Sequence, residues 1–242
     1  MIWVVFALSI LFTGIGFLIN SANADFLLAG YNTMSPEQRK NVDLPAYLRV
    51  FKKFHIFLGL SFLVLGLGLY FFAEETVLIA FITIYPILAY LVLIIYGFRF
   101  DKNPSGFKRI ASVLVILVSL GLVIYLMFEG NQEHDLIITA DSVQVKGMYG
   151  EQIYFDDIAA VKLLDQLPEI SKKSNGFAMG SVRKGYFKTA GNEKVKLLLH
   201  GDQLPLIFIQ KTDGNKFYFS SKSSDNRSLY QILEKQVKPK ND

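Results

Sequence analysis

Four stretches in the first half of the chain carry no Asp, Glu, Lys or Arg: Ile2 to about Ile19, Phe54 to Phe72, Thr76 to Tyr96, and Ile110 to Phe128. Each is close to the roughly 20 apolar residues that a helix needs to cross a hydrocarbon layer about 30 Å thick. A water-soluble core does not call for four such runs in succession. In lipid, a helix pairs every backbone donor and acceptor within its own segment. Residues 1–128 are therefore expected to form an all-α membrane region of four transmembrane helices. Only 19% of the chain is charged, against about 25% in an ordinary soluble domain, and the shortfall lies in this half.

The ends of the runs carry the residues expected at a lipid–water boundary. Lys52, Lys53 and His55 flank the second run, Arg99 follows the third, and Lys108 and Arg109 precede the fourth, with Trp3, Tyr70, Tyr96 and Tyr125 also near ends. Basic side chains can reach the headgroups while their methylenes stay in the apolar layer, and amphipathic rings favour the interface, so His55 reads as an interface residue. The connection from Asn20 to Lys53 holds Arg39, Lys40, Arg49, Lys52 and Lys53; that from Gly97 to Arg109 holds Arg99, Lys102, Lys108 and Arg109; the turn around Ala73, Glu74 and Glu75 holds no basic residue. Positive connections stay in the cytoplasm. The expectation is a multi-pass cell-membrane protein with its N-terminus and everything after Phe128 on the extracytoplasmic side. Ala22-Asn23-Ala24 resembles a signal-peptidase site, and cleavage there would instead leave the C-terminal domain cytoplasmic. The residues before the first run lack the basic side chain a secretory signal normally starts with, which favours the uncleaved arrangement.

The first connection has its own local signals. Gly30 and Asn32 suit a turn, Ser35 can cap a helix and Pro36 fits its first position. A second helical start follows Asp43, with Tyr47, Val50, Phe51 and Phe54 on one side and Arg49, Lys52 and Lys53 on the other. This segment reads either as an interfacial helix that touches anionic lipid or a partner, or as a plain connector that obeys charge topology. The phrase AGYNTMSPEQRK, from Ala29 through about Lys40 just after an apolar run, resembles the bacterial membrane family known as domain of unknown function 3784. The likeness extends to about residue 100. It implies an architecture and carries no mechanism.

From Asp135 the pattern becomes alternation: Val143 and Val145, then Val195, Leu197 and Leu199, then Phe217 and Phe219. Period two indicates half-buried antiparallel strands. Gly147, Gly150, Gly191-Asn192, Gly201-Asp202 and Asp213-Gly214 separate them, the last as a hairpin turn. Ser224 can cap a final helix with Leu229, Ile232, Leu233 and Val237 along one face. Residues 134–238 are thus expected to form an α+β domain of about seven antiparallel strands in a bent sheet or barrel, closed by a C-terminal helix. The middle of this tail resembles bacterial pleckstrin-homology domains through Asn175-Gly176-Phe177, Lys184-Gly185, Phe187 and Lys194-Val195-Lys196, with a likeness running from about Ser142 to Lys235. That resemblance implies a pleckstrin-homology-like fold and no particular ligand.

Chemistry-bearing residues are sparse. With no cysteine, disulfides, thiolate sites and cysteine nucleophiles are excluded. His55, His134 and His200 lie far apart in sequence without paired ligand spacing, and His200, Asp202 and Ser220 to Ser224 form no nucleophile-elbow pattern. Asp156-Asp157 reads as a turn. No catalytic residue, cofactor or metal site is expected, and the chain does not read as an enzyme. The candidate anion- or partner-binding residues are Lys172, Lys173, Arg183, Lys184 and Lys188, five basic side chains with no acidic one between Ile170 and Asn192. Gathered on one rim they would attract anions; as a solvated loop they would serve solubility. A net charge of +4 without a concentrated basic face gives no ground for nucleic acid. Expected partners are the lipid bilayer and, through the tail, a protein, a second copy or an anionic envelope component. The function that emerges is a non-catalytic membrane protein presenting an interaction or sensing module. The alternative is a small transporter or membrane-embedded regulator. Gly59 and Gly66 invite close helix approach, and Pro86 can kink its run.

Overall fold

The computed structural model describes residues 1–103 and 105–237. The chain divides into two compact units, Met1–Tyr125 and Leu126–Asp242.

The first unit is helical: α1 (Ile2–Leu18), α2 (Ala24–Leu27), α3 (Pro36–Arg39), α4 (Leu44–Phe72), α5 (Glu75–Gly97) and α6 (Gly106–Asn131), whose last turns belong to the second unit. Among the described residues, three helices are long and apolar enough to cross a membrane: α4, α5 with the 3-10 turn that extends it to Phe100, and α6. The first run gives α1, apolar but only 17 residues long, or about 25 Å at 1.5 Å per residue. The chain leaves the helix at Ile19, whose backbone is extended, and Asn23 accepts a hydrogen bond from Asn20 N (2.8 Å) to form a turn. α4 exceeds expectation in the other direction. Asp43 caps it by accepting from Ala46 N (3.1 Å), with Pro45 in the first turn, so the basic amphipathic segment and the second run are one helix.

α1 lies antiparallel against α4. Val5 meets Gly66, Ser9 and Thr13 meet Gly59, and Gly16 meets Lys52 and His55. A Cβ on Gly59 would sit 2.7 Å from the Ser9 carbonyl oxygen, and one on Gly66 would sit 2.7 Å from Val5 Cγ1. Between helices in lipid, close van der Waals packing does the work that water exclusion does elsewhere, so small residues decide the contact. Ser9 Oγ also donates to the Gly59 carbonyl (2.7 Å). Around this seam Val5, Phe12, Leu58, Phe62 and Leu78 form the core. At the opposite end of the bundle from the Ala73–Glu74 turn, the two basic connections pair with each other: Asp43 N donates to the Phe100 carbonyl (2.8 Å) and Lys102 N to the Asn41 carbonyl (3.0 Å).

The second unit is mostly sheet. β1 (Leu136–Ile138), β2 (Ser142–Val145) and β3 (Glu151–Tyr154) form an antiparallel three-stranded sheet. β4 (Ile158–Leu164), β5 (Ile170–Met179), β6 (Val182–Thr189), β7 (Lys194–Leu199), β8 (Leu206–Lys211) and β9 (Lys216–Ser220) form a second sheet in the order β4-β8-β9-β7-β6-β5. Among the described residues there are nine strands where about seven were expected, and neither sheet closes into a barrel: β4 and β5, joined by a short loop, are opposite edges of the larger sheet. The expected antiparallel order also fails at β7–β9, which is parallel. The chain places β8 beyond β9 and returns through the Asp213-Gly214 turn, which does form the expected hairpin, with Gly214 at φ 86°.

The final helix α7 (Asn226–Gln236) is capped by Asp225, one residue after the expected Ser224; its carboxylate accepts from the backbone N of Arg227 (3.1 Å) and Ser228 (3.2 Å). One face of the large sheet, through Leu198, Ile207, Ile209, Phe217 and Phe219, packs with the small sheet and with Leu233 of α7. The other face buries Phe187, Val195, Leu197, Phe208 and Tyr218 beneath Leu164, Leu167 and Ile170, at the ends of β4 and β5 and in the loop between them. Burial on both faces explains why β7 departs from strict alternation.

The α1–α4 seam can be tested directly. Replacing Gly59 by Leu should destabilise the chain in detergent micelles by about 1–3 kcal/mol through overpacking. Gly68→Leu, at a position where a Cβ meets nothing within 4 Å, should leave the thermal midpoint unchanged.

Candidate functional site

The hairpin β5–β6 carries all five predicted basic residues and separates them. Lys172 lies opposite Lys188, Lys173 opposite Phe187, Phe177 opposite Lys184 and Ala178 opposite Arg183. Alternation therefore puts Lys172, Lys184 and Lys188 on one face and Lys173 and Arg183 on the other. Lys184 is only 3% exposed. The five do not share one rim.

Lys184 instead takes part in a grip on the residues that follow α6. The order β9-β7-β6 brings Ser221, His200 and Lys184 to one end of the sheet. Together they hold consecutive residues of a single segment. His200 Nε2 donates to the Asn131 carbonyl (2.9 Å), and Lys184 Nζ donates to the Gln132 carbonyl. Glu133 Oε1 accepts from Ser221 Oγ (2.7 Å), from the backbone N of Lys222 and from that of Ser223 (3.0 Å). Just upstream, Gly130 lies so close to the Phe177 ring that a Cβ would have no room. All of these residues belong to the second unit.

The electrostatics are mixed. Burial pushes the Glu133 carboxyl upward, but the hydrogen bonds from Ser221, Ser223 and Lys222 and the proximity of His200 outweigh it and hold the group below the usual carboxylate range. Burial lowers the Lys184 ammonium, with Glu129 and Glu133 pulling the other way. Burial and Lys184 lower His134, whose Nε2 is buried with no hydrogen-bond partner. Since a carbonyl only accepts, His200 Nε2 must carry a hydrogen; its Nδ1 lies 3.8 Å from Glu133 Oε2. Among the described residues, no group of three or more His, Asp or Glu is placed to hold a metal ion. What the arrangement does is anchor a segment: it fixes two main-chain carbonyls and one carboxylate at the start of the sheet domain.

Residues 6–101 match the model of a family described as Domain of unknown function (DUF3784). No curated protein and no solved structure matches the chain. The match covers α1 from Phe6 onward and the whole of α2 to α5, and with them the phrase from Ala29 to Lys40. That phrase is a folded cap. Ser35 Oγ accepts from Gln38 N (3.3 Å) while Gln38 Oε1 accepts from Ser35 N (3.1 Å). Arg39 pairs with Asp25 (3.1 Å), donates to the Asn32 carbonyl (3.2 Å) and lies over the Tyr31 ring.

The matched region also holds a polar pair that was not expected. His55, expected at the interface, is fully buried within α4. Its Nδ1 donates to the Phe51 carbonyl (2.8 Å), and its Nε2 is 3.1 Å from the Tyr90 hydroxyl of α5. A second tie joins Ser61 Oγ and the Tyr85 hydroxyl (2.7 Å). Because α4 begins ten residues before the apolar run, His55 falls inside the helix packing and not at its edge. The signal was available in the spacing of Phe51, Phe54 and His55 after Asp43.

Glu133 carries a sharp pH signature. A depressed carboxyl stabilises the fold above the ordinary carboxylate pKa, and the contribution disappears as pH falls through the lower folded value. At neutral pH, Glu133→Gln should cost about 1–3 kcal/mol of local stability, seen as faster amide exchange at Ser221 to Ser224 in the full chain in micelles. The difference from the parent should vanish once the pH lies below that folded value. An equal difference at all pH values would remove the carboxylate from the account.

Proposed function

We propose that this is a multi-pass membrane protein that presents a non-catalytic, pleckstrin-homology-like interaction or sensing domain at the membrane surface. The observation that carries the reading is the grip on Asn131, Gln132 and Glu133. A domain that merely trailed from a membrane helix would need no such anchoring, whereas one that reports or receives a conformational state through that helix does.

In this reading α1 is a short fourth crossing. It runs beside α4 from Gly66 back to Lys52, so it occupies the same depth as the apolar part of a longer helix, and a modest mismatch is absorbed by the bilayer. Ala24 is fully buried, in a cluster with Leu28, Phe51 and Leu93, which favours the uncleaved chain over processing at Ala22-Asn23-Ala24. Four crossings with both basic connections at one end favour an extracytoplasmic sheet domain under the positive-inside rule.

The buried His55–Tyr90 pair favours a second reading, a small transporter or membrane-embedded regulator, because ionisable groups among membrane helices often mark a pathway. Two measurements on the full chain separate these readings. Alkaline phosphatase fused after Asp242 should be active in cells and a green fluorescent fusion dark; the reverse pattern overturns the outward placement. Protein reconstituted in sealed vesicles should pass no protons above the empty-vesicle rate. A flux abolished by His55→Phe would replace the module with a transporter.

A further inference from the structure

Three lysines stand in line across adjacent strands of the large sheet. Lys172 on β5 pairs with Lys188 on β6, and Lys188 pairs with Lys194 on β7. Like charges set directly opposite each other across a sheet repel, and none of these three makes an ion pair among the described residues. The Lys188 ammonium donates to the Asn192 side-chain oxygen (2.9 Å), and that of Lys194 rests 4.3 Å from the centre of the Tyr186 ring. On the same face, one step along, Tyr186 pairs with Lys196. Here the row meets a cleft of about 200 Å³ lined by Glu151, Tyr186, Lys194, Lys196, Lys211 and Lys216. Glu151 is committed, with one oxygen 2.6 Å from Lys196 Nζ and the other 2.9 Å from Lys211 Nζ, and Lys216 pairs with Glu193 at 2.7 Å. Lys196 is 8% exposed. Lys196, Lys211 and Lys216 are thus committed to carboxylates, while Lys172, Lys188 and Lys194 have no ion-pair partner among the described residues.

We propose that this row and the mouth of the cleft bind a multivalent phosphate-bearing anion. The proposal rests on the reading of the sheet domain as an interaction module and names its ligand class. Neighbouring strands lie about 4.8 Å apart, so the ammoniums present a line of point charges that one carboxylate cannot span and linked phosphoryl groups can. Lysine serves phosphate as a point charge, without the fixed fork that arginine brings to a planar carboxylate. Glu151 contributes by holding Lys196 and Lys211 in place, and its own charge keeps the anion at the mouth beside Lys188 and Lys194.

The test uses the full chain in nanodiscs of phosphatidylcholine, titrated calorimetrically with sodium tripolyphosphate. Binding should occur, weaken with added salt, and fall by roughly tenfold or more in Lys188→Gln/Lys194→Gln, while Lys162→Gln on β4 behaves as the parent. Because the row is self-repelling, the double variant should melt no lower than the parent without ligand, which separates lost binding from lost folding; Lys194→Gln alone should give an intermediate affinity. Repeating the titration in nanodiscs of equal parts phosphatidylcholine and phosphatidylglycerol identifies the source. Competition assigns the site to a lipid headgroup, and its absence to a soluble phosphate, either outcome supporting the site. No binding, or equal binding by the double variant, overturns it. That failure leaves the interaction module standing if the phosphatase fusion is active and no protons pass, whereas a proton flux lost with His55 strikes the module without bearing on the titration.

Discussion

A polar atom withdrawn from water needs a partner, and in this chain that requirement sets the positions of the helices and of the sheet domain's first residues. In the helical region the backbone takes care of itself, so the burden falls on a few side chains. Ser9 reaches the Gly59 carbonyl, Ser61 meets the Tyr85 hydroxyl, and His55 is tied at both ring nitrogens. Each of these either serves α4 internally or joins it to a neighbour. α4 is therefore the helix around which α1 and α5 are ordered, and its glycines are as necessary as its polar ties: without Gly59, the Ser9 hydroxyl could not come within 2.7 Å of the carbonyl it needs.

α6 is built on a different principle. None of its apolar window is buried within the protein, while α4 buries 28% of its own. Its surface is consequently matched to lipid, and what fixes its end is chemistry beyond the last turn. There the sheet domain supplies a lysine from β6, a histidine that follows β7 and a serine that follows β9. Main-chain carbonyls that leave a helix without an intrahelical donor are ordinarily taken up by water or a C-cap. Here the Asn131 and Gln132 carbonyls are taken up by His200 and Lys184, so the fold of the domain and the geometry of the exit from α6 are one problem.

What could be read from the sequence follows from how local each determinant is. The charge-free runs, the Ser35 cap, the close-approach glycines Gly59 and Gly66, and the Asp213-Gly214 hairpin all depend on residues within a few positions of one another, and all appear where they were expected. The length of α1 was misjudged by little, because composition does not say where Asn20 and Asn23 turn the chain. The strand count fell short where strands are too short to show a period: β1 and β3 have only three and four residues. The five basic residues looked like a unit because they are close in sequence. Strand pairing, which is non-local, put Lys184 inside and Lys173 on the opposite face from Lys172.

The two groups of charge in the sheet domain differ in a way that bears on what each can do. At the grip, Lys184 is buried against the Gln132 carbonyl and the half-buried Glu133 accepts three hydrogen bonds, so moving Glu133 means breaking several bonds at once. At the row, Lys172, Lys188 and Lys194 sit at the surface and oppose one another, so a counter-ion relieves repulsion already stored in the sheet instead of displacing an existing partner. Both groups draw on β6 and on β7 or its end: Lys184 and Lys188 are four residues apart on one strand, and His200 directly follows the strand that begins at Lys194. A ligand that tightens the pairing of β6 with β7 at one end therefore acts on the same two strands that hold the Asn131 and Gln132 carbonyls at the other.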